Sequence, residues 1–188
     1  MNVIKTEIEG LYILEPKVLK DERGYFFESF SQKEFDEKVY PVRFVQDNES
    51  TSVYGVVRGL HFQKPPYTQS KLVRCVKGKV LDVAVDIRRN SPSFMKYVAV
   101  ELSAENHKQF FVGKGFAHGF AVLSDTAVFQ YKCDEFYHPE ADAGIQLLDL
   151  ALGIDWQVKK EDMILSEKDK NRAVFVPEET LFDYNERI

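Results

Sequence analysis

The stretch Gly55–Ile87, GVVRGLHFQKPPYTQSKLVRCVKGKVLDVAVDI, constrains this chain more than any other. It sets His61, Arg58, Arg74, Lys71, Asp82 and Asp86 among closely spaced β-branched residues. Apolar and polar residues alternate over Lys71–Val76 and again over Val80–Ile87, which predicts strands with one face buried. Lys77-Gly78-Lys79 between them is a short turn. Strict alternation over Val56–Gln63 would put Arg58 and His61 on opposite faces. Gly59 lies between them, and a glycine inside a strand often marks a bulge that re-aims a neighbour. A bulge would point both side chains into one pocket; without it Arg58 is an exposed edge charge. Spacing alone leaves both readings open.

A chain of 188 residues can form one domain, 1–188, with a sizeable core. Hydrophobic residues make up 44% and charged ones 29%, the balance of an ordinary globular protein. A net charge of -5 argues against broad nucleic-acid binding, although a local basic pocket for a small anion is compatible with it. The 15 Phe and 9 Tyr suit a β-rich core or a stacking site. No apolar run is long enough to span a bilayer, and Met1–Leu11 lacks a signal-peptide pattern, so no membrane partner is expected. Cys75 and Cys133 sit in apolar strand-like runs without metal spacing. They read as buried reduced thiols of a cytoplasmic protein.

Short strands follow one another along the chain. Leu11–Leu14 is the first, ended or marked as an edge by Pro16. After the turn Asp21-Glu22-Arg23-Gly24, Tyr25–Phe30 reads as a strand with Phe26, Glu28 and Phe30 on one side. Glu28 there is an edge carboxylate in water or a ligand contact. Ser31–Val39 carries an N-cap serine with a glutamate three residues on, which predicts a short helix. Val42–Asn48 reads as a strand with Gln46 and Asn48 on one face. Beyond Ile87 come strands at Tyr97–Leu102, Phe110–Val112, Phe116–Leu123 and Ala127–Cys133. A capped turn or short helix lies over Ser103–Gln109. A loop (Asp134–Gly144), an apolar segment (Leu147–Ile154) and an irregular charged tail complete the chain. Many short strands with little helix predict a mainly β fold, a barrel or sandwich with a few short helices.

Four histidines, His61, His107, His118 and His138, pose the chemical question. Two of them inside a β-barrel raise the possibility of a metal. A cupin-type metal site shows two histidines separated by one residue, a glutamate soon after, and a later third histidine. Here the run is His61-Phe62-Gln63, and no matching glutamate follows. The pattern predicts no metal and no other cofactor. A lone histidine is by default a hydrogen-bonded core residue. Without metal, His61 suits acid–base work, because an imidazole titrates near neutrality.

Several blocks together resemble the signature segments of the dTDP-4-dehydrorhamnose 3,5-epimerase family. They are Asp21-Glu22-Arg23-Gly24-Tyr25-Phe26, Phe44-Val45-Gln46-Asp47-Asn48-Glu49, Arg58-Gly59-Leu60-His61-Phe62-Gln63, Lys71-Leu72-Val73-Arg74, Gly115-Phe116-Ala117-His118-Gly119-Phe120 and Leu165-Ser166-Glu167-Lys168-Asp169. The resemblance runs in order from Leu11 to Asn171. It implies a cupin-like (jelly-roll) β-barrel, a metal-independent homodimer, and a dTDP-sugar as substrate. It further implies His61 as base, Asp169 as the group orienting it, Tyr131 as acid, and Lys71 beside the C4 oxygen of a 4-keto sugar. Arg23, Phe26 and Glu28 match substrate contacts on an N-terminal strand exchanged with the partner. Gln46, Asn48, Arg58, His118 and Lys168 match further contacts. Tyr137 matches an aromatic stacking on thymine.

Some positions depart from the family pattern. Gly113-Lys114 stands where many members carry proline, which would loosen the turn before His118. Phe136 replaces a tyrosine found in some members. Asp142 falls where a substrate-contacting glutamate is common, with a shorter reach. Gln146-Leu147-Leu148 replaces a tryptophan- and aspartate-containing segment. The chemistry implied is proton exchange at C3 and C5, both acidified by the C4 ketone. An enzyme inverting only one of these carbons is the nearest alternative. A non-catalytic sugar-binding barrel is a further one, opposed by the retained His61, Lys71, Tyr131 and Asp169.

Overall fold

The computed structural model describes residues 1–186. Strands β1 (Asn2–Lys5) and β2 (Leu11–Glu15) form a hairpin, followed by a second, smaller one, β3 (Leu19–Asp21) and β4 (Gly24–Phe26). Helix α1 (Gln32–Lys38) comes next, then β5 (Gln46–Val53), β6 (Val57–Gln63), β7 (Lys71–Lys77) and β8 (Lys79–Asp86). The chain continues through β9 (Arg88–Arg89), β10 (Tyr97–Ser103), β11 (Gln109–Val112), β12 (Phe116–Val122) and β13 (Thr126–Cys133). It ends in β14 (Asp142–Gly144), the one-turn helix α2 (Glu167–Lys170) and β15 (Phe182–Asp183).

Two antiparallel sheets face each other. One has the order β1-β2-β11-β7-β13-β5 and the other β10-β8-β12-β6-β14. Alternate side chains of both meet between them, including Val73, Phe110 and Phe129 from the first sheet and Ala84, Phe120 and Val122 from the second. The segment after β14 lays Leu147, Leu152, Trp156 and Val158 over the outer face of the second sheet. On the outer face of the first, Phe35 of α1 packs with Leu14, Leu72 and Phe111. Ser31 caps α1 by accepting the Glu34 amide, as its sequence predicts.

Four sequence expectations need correction. β8 is buried on both faces rather than one, because the post-β14 segment covers the side that would otherwise meet water. Its acids Asp82 and Asp86 point the other way, to the inner side with Val80 and Ala84, where they are buried against His118 and Arg88. Strand pairing stops at Phe26, so Tyr25–Phe30 is not one strand. Phe30 turns in against Phe35 and Phe44, while Phe26 and Glu28 stay exposed, and the three do not share a side. The Val42–Asn48 strand begins only at Gln46 and runs on to Val53, where β13 pairs with it. The charged tail is not wholly irregular: it contains α2, capped by Ser166. No helix among the described residues is long and apolar enough to cross a membrane.

The bulge at Gly59 decides where the chemistry goes. His118 pairs with His61 and Phe120 with Arg58, so two steps of β12 span three steps of β6. The extra residue brings Arg58 and His61 to the inner face, opposite Phe120 and His118. Val57 and Leu60 point outward into the covering segment. Gly59 has φ +142, and a Cβ there would lie 2.7 Å from the Gly119 Cα. Only glycine fits that close approach. His61 lines a pocket there, whereas Arg58, though on the same face, stays exposed and reaches Ser52 instead.

Candidate active site

At one mouth of the barrel a pocket of about 230 Å³ opens between the sheets. The register sets its walls. Cys133 pairs with Lys71 on one side and Gln46 on the other, and Tyr131 pairs with Val73 and Asn48. The first sheet thus presents Gln46, Asn48, Tyr131 and Lys71 inward, with the Lys71 ammonium 5.8 Å from the Tyr131 ring centre. The second sheet presents His61 across from them, with Asp142 and Tyr137 at the rim. Arg58 bridges the sheets, its Nε and Nη2 donating to Ser52 Oγ at 3.2 and 3.1 Å.

His61 Nε2 lies 2.5 Å from Asp169 Oδ1, and Asp169 is almost fully buried. Burial pushes the Asp169 carboxyl up, but the hydrogen bond and charge of His61, helped by Ser166 and Arg172, outweigh it and hold it below the usual range. An ionised Asp169 accepts, so in the neutral imidazole Nε2 carries the proton and Nδ1 the lone pair. Ser166 Oγ donates to the other carboxylate oxygen at 2.8 Å and accepts the Asp169 amide at 3.1 Å. Both oxygens of Asp169 are thereby fixed.

On the facing wall, burial depresses Lys71, against the opposing pull of Cys133, Asp82 and Asp142. Burial raises Tyr131, which keeps its hydroxyl protonated. His118 is buried behind the pocket, its Nε2 2.8 Å from Asp82 Oδ1. Burial pushes Asp82 up despite that partner. Gln63, where a metal pattern would have a histidine, donates to the Tyr67 and Phe136 carbonyls at 2.7 and 3.1 Å. It also accepts the His138 amide at 2.7 Å. It organises the loop that carries Tyr137. The turn expected to be loose is tied: the Gly113 amide donates to the Gly10 carbonyl at 3.0 Å.

Of the residues singled out in the sequence, the pocket gathers Gln46, Asn48, His61, Lys71, Tyr131, Tyr137 and Asp142. Asp169 backs His61, and Lys168 Nζ lies 2.6 Å from Asp142 Oδ2. Arg58 and His118 do not line this pocket, and within the chain neither do Arg23, Phe26 and Glu28. These last three sit on or just after the β3–β4 hairpin, which forms a separate two-stranded sheet. Arg23 pairs with Asp21 there, and Phe26 is 70% exposed. Sequence reasoning passed over Ser166, although a serine three residues before an aspartate is a helix-start signal. It also passed over Cys133 as a pocket residue, Ser52, and Arg172, for which the local pattern held no signal.

In architecture, then, the chain is a cupin-like β-barrel with its ionisable groups gathered at one mouth. The family model for dTDP-4-dehydrorhamnose 3,5-epimerase matches residues 5–176. The dTDP-4-dehydrorhamnose 3,5-epimerase of Escherichia coli (strain K12) is 58% identical over 171 residues, covering 90% of this chain and 92% of that protein. A crystal structure of dTDP-6-deoxy-D-glucose-3,5-epimerase from Legionella pneumophila, in complex with dTDP-4-keto-L-rhamnose, superposes with a TM-score of 0.89. It is 51% identical and covers 92% of each chain. A 3'-monoepimerase from Streptomyces bikiniensis in complex with dTDP-quinovose is 32% identical with a TM-score of 0.83, covering 90% of this chain and 85% of that one. This chain belongs to the dTDP-4-dehydrorhamnose 3,5-epimerase family, and so to the isomerases.

Proposed function

We propose that the chain converts dTDP-4-dehydro-6-deoxy-D-glucose to dTDP-4-dehydro-L-rhamnose, in dTDP-L-rhamnose biosynthesis. The observation that carries the mechanism is the opposition of His61, on one sheet, to Tyr131 and Lys71, on the other, across one small pocket. His61 Nδ1 removes a proton α to the C4 ketone, and the electron pair moves into an enolate. The Lys71 ammonium stabilises the charge developing on the C4 oxygen. Tyr131 returns a proton from the opposite wall, inverting the carbon. One such exchange at C3 and one at C5 complete the reaction without net redox change, so no cofactor is invoked. Asp169 stabilises the imidazolium between the two proton transfers. Gln46, Asn48, Arg58, His118, Asp142 and Lys168 position the substrate. Tyr137 stacks on the base, and arginines suit the anionic diphosphate. Residues 1–188 are read as one epimerase domain, the last two lying outside the described residues. Two buried free thiols, Cys75 and Cys133, support a cytoplasmic location.

The test is proton NMR of product formed from the 4-keto-6-deoxy-glucose nucleotide in deuterated water, with and without chelator. Deuterium at C3 and C5 with both centres inverted is expected, unchanged by chelation. Because a 3'-monoepimerase shares this fold, inversion at a single carbon is the specific alternative. That product, or loss of activity on chelation, would overturn the reading.

The second part of the proposal is assembly. The β3–β4 hairpin pairs with neither main sheet of its own chain and exposes Leu19, Tyr25 and Phe26. An exposed apolar hairpin calls for a partner surface. In a homodimer it would cross over and complete the partner's pocket with Arg23, Phe26 and Glu28. Arg23→Ala and His61→Ala are each expected to be inactive. Random chain exchange between them makes about half the dimers mixed, and about a quarter of all sites intact. Activity should recover to roughly that fraction, and only after exchange. No recovery, with exchange verified by mass spectrometry, would place Arg23 in its own chain's function.

A further inference from the structure

Asp169 sits on a four-residue helix, too short to hold its own shape in water. Ser166 fixes its first turn. The helix is also tied to the neighbouring strand, in part by Arg172, which lies outside the family's signature segments. The residues flanking Asp169 on either side, Lys168 and Arg172, converge on one oxygen, Asp142 Oδ2. Lys168 Nζ and Arg172 Nη2 each lie 2.6 Å from it. Asp142 belongs to β14, and β14 pairs with β6, with Gly144 opposite His61. The guanidinium lies close against Gly144. A Cβ on Gly144 would come within 3.0 Å of Arg172 Nε and 3.3 Å of its Cζ. The Arg172 backbone amide also donates to the Asp169 carbonyl at 3.4 Å.

The two prongs are not equivalent. The Lys168 side chain is 54% exposed, while that of Arg172 is 16% exposed. A solvated lysine holds a carboxylate loosely; a buried planar guanidinium holds it in one geometry. Lys168 can leave for a ligand while Arg172 keeps Asp142 in place. Arg172 Nε is buried and makes no hydrogen bond within the chain.

We propose that Arg172 is a positioning residue for the reaction: by clamping Asp142 it fixes the Asp169 helix against the strand that carries His61. The inference rests on the reading of His61–Asp169 as the base pair of the active site. Arg172 itself touches no substrate. Its loss lets Asp169 drift relative to the imidazole, which lowers the rate of proton abstraction and leaves binding intact.

The experiment compares Arg172→Met, Arg172→Lys and Asp142→Asn by steady-state kinetics and by NMR of protein labelled with ¹⁵N-histidine. The probe is the low-field proton shared by His61 and Asp169, observed in substrate-free enzyme. Arg172→Met should lower kcat by roughly ten- to a hundredfold, the loss typical of a misplaced reacting group, with KM within about twofold. Its low-field resonance should broaden or shift. Arg172→Lys should recover part of both. Asp142→Asn removes the other end of the clamp and should disturb the same resonance, so the proposal stays testable if Arg172→Met does not fold. Wild-type kcat with an unchanged resonance in Arg172→Met would reduce Arg172 to an anchor of the tail. A raised KM at unchanged kcat would make it a substrate contact and overturn the proposal. The resonance separates the two levels of argument. If it responds while turnover does not, the clamp stands and the role of His61 as base falls.

Discussion

His61→Ala removes nearly all turnover while nucleotide affinity stays within a few fold of wild type. The loss expected for a general base is on the order of 10²–10⁴ in rate. The separation from binding follows from where the residue sits. His61 is on the β14–β6 side of the pocket, bonded to Asp169, and its other nitrogen is the one with a lone pair. The groups suited to the nucleotide are elsewhere: Tyr137 at the rim and Arg58 bridging to Ser52. Removing the imidazole therefore leaves those contacts standing. It also leaves Asp169 buried with one oxygen unbonded, so a modest loss of thermal stability should accompany the loss of rate. Turnover, isothermal titration with dTDP and a melting curve on the same sample check all three. A variant keeping more than half of wild-type turnover would remove His61 from the reaction.

Much of the barrel was legible because its strands obey a local rule. β7, β10, β12 and β13 lie where the runs of β-branched and aromatic residues put them, each within a residue or two. The Gly59 bulge was legible as a possibility, since a glycine between two polar residues in a strand is unusual. Its consequence, Arg58 and His61 on one face, needed the pairing with His118 and Phe120. What failed was whatever depends on a remote covering layer. The two-sided burial of β8 is imposed by Trp156, Leu147 and Leu152, more than sixty positions downstream on the chain. Alternation within β8 carries no mark of it.

The site divides along the same line. His61, Lys71 and Tyr131 lie on strands whose inward faces periodicity can propose. Asp169 is 108 positions from His61, on a helix of one turn, and only the family resemblance pointed to it. Arg172 lacked even that signal: its meaning lies in a contact with Asp142, thirty residues earlier. The exposed hairpin carrying Arg23 and Phe26 shows the opposite limit. Its turn at Asp21–Gly24 was legible, but the strand read over Tyr25–Phe30 ends at Phe26, and one chain alone does not bring those residues to the pocket.

Tyr131→Phe should uncouple proton exchange from inversion. The hydroxyl sits on the first sheet, across the pocket from His61, and burial holds it protonated. With it gone, the base can still take a proton and Lys71 can still stabilise the enolate. The acid then nearest the carbon is the imidazolium just formed, on the face the proton came from. In deuterated water that cation exchanges and returns a deuteron to the same face. Recovered substrate should therefore gain deuterium with its configuration retained, while inverted product falls by about two to four orders of magnitude, the range for a lost general acid. The ratio of exchange to inversion, read from one NMR time course, is the diagnostic quantity. In wild type both should proceed together; in Tyr131→Phe exchange should run far ahead. His61→Ala should abolish both, which separates the two roles within a single assay. Normal product formation by Tyr131→Phe would assign reprotonation to another donor, with Lys71 the nearest candidate, its ammonium being 5.8 Å from the same ring. Loss of exchange and inversion together would mean that the hydroxyl is needed before the enolate forms, and that the acid step is not its only part in the reaction.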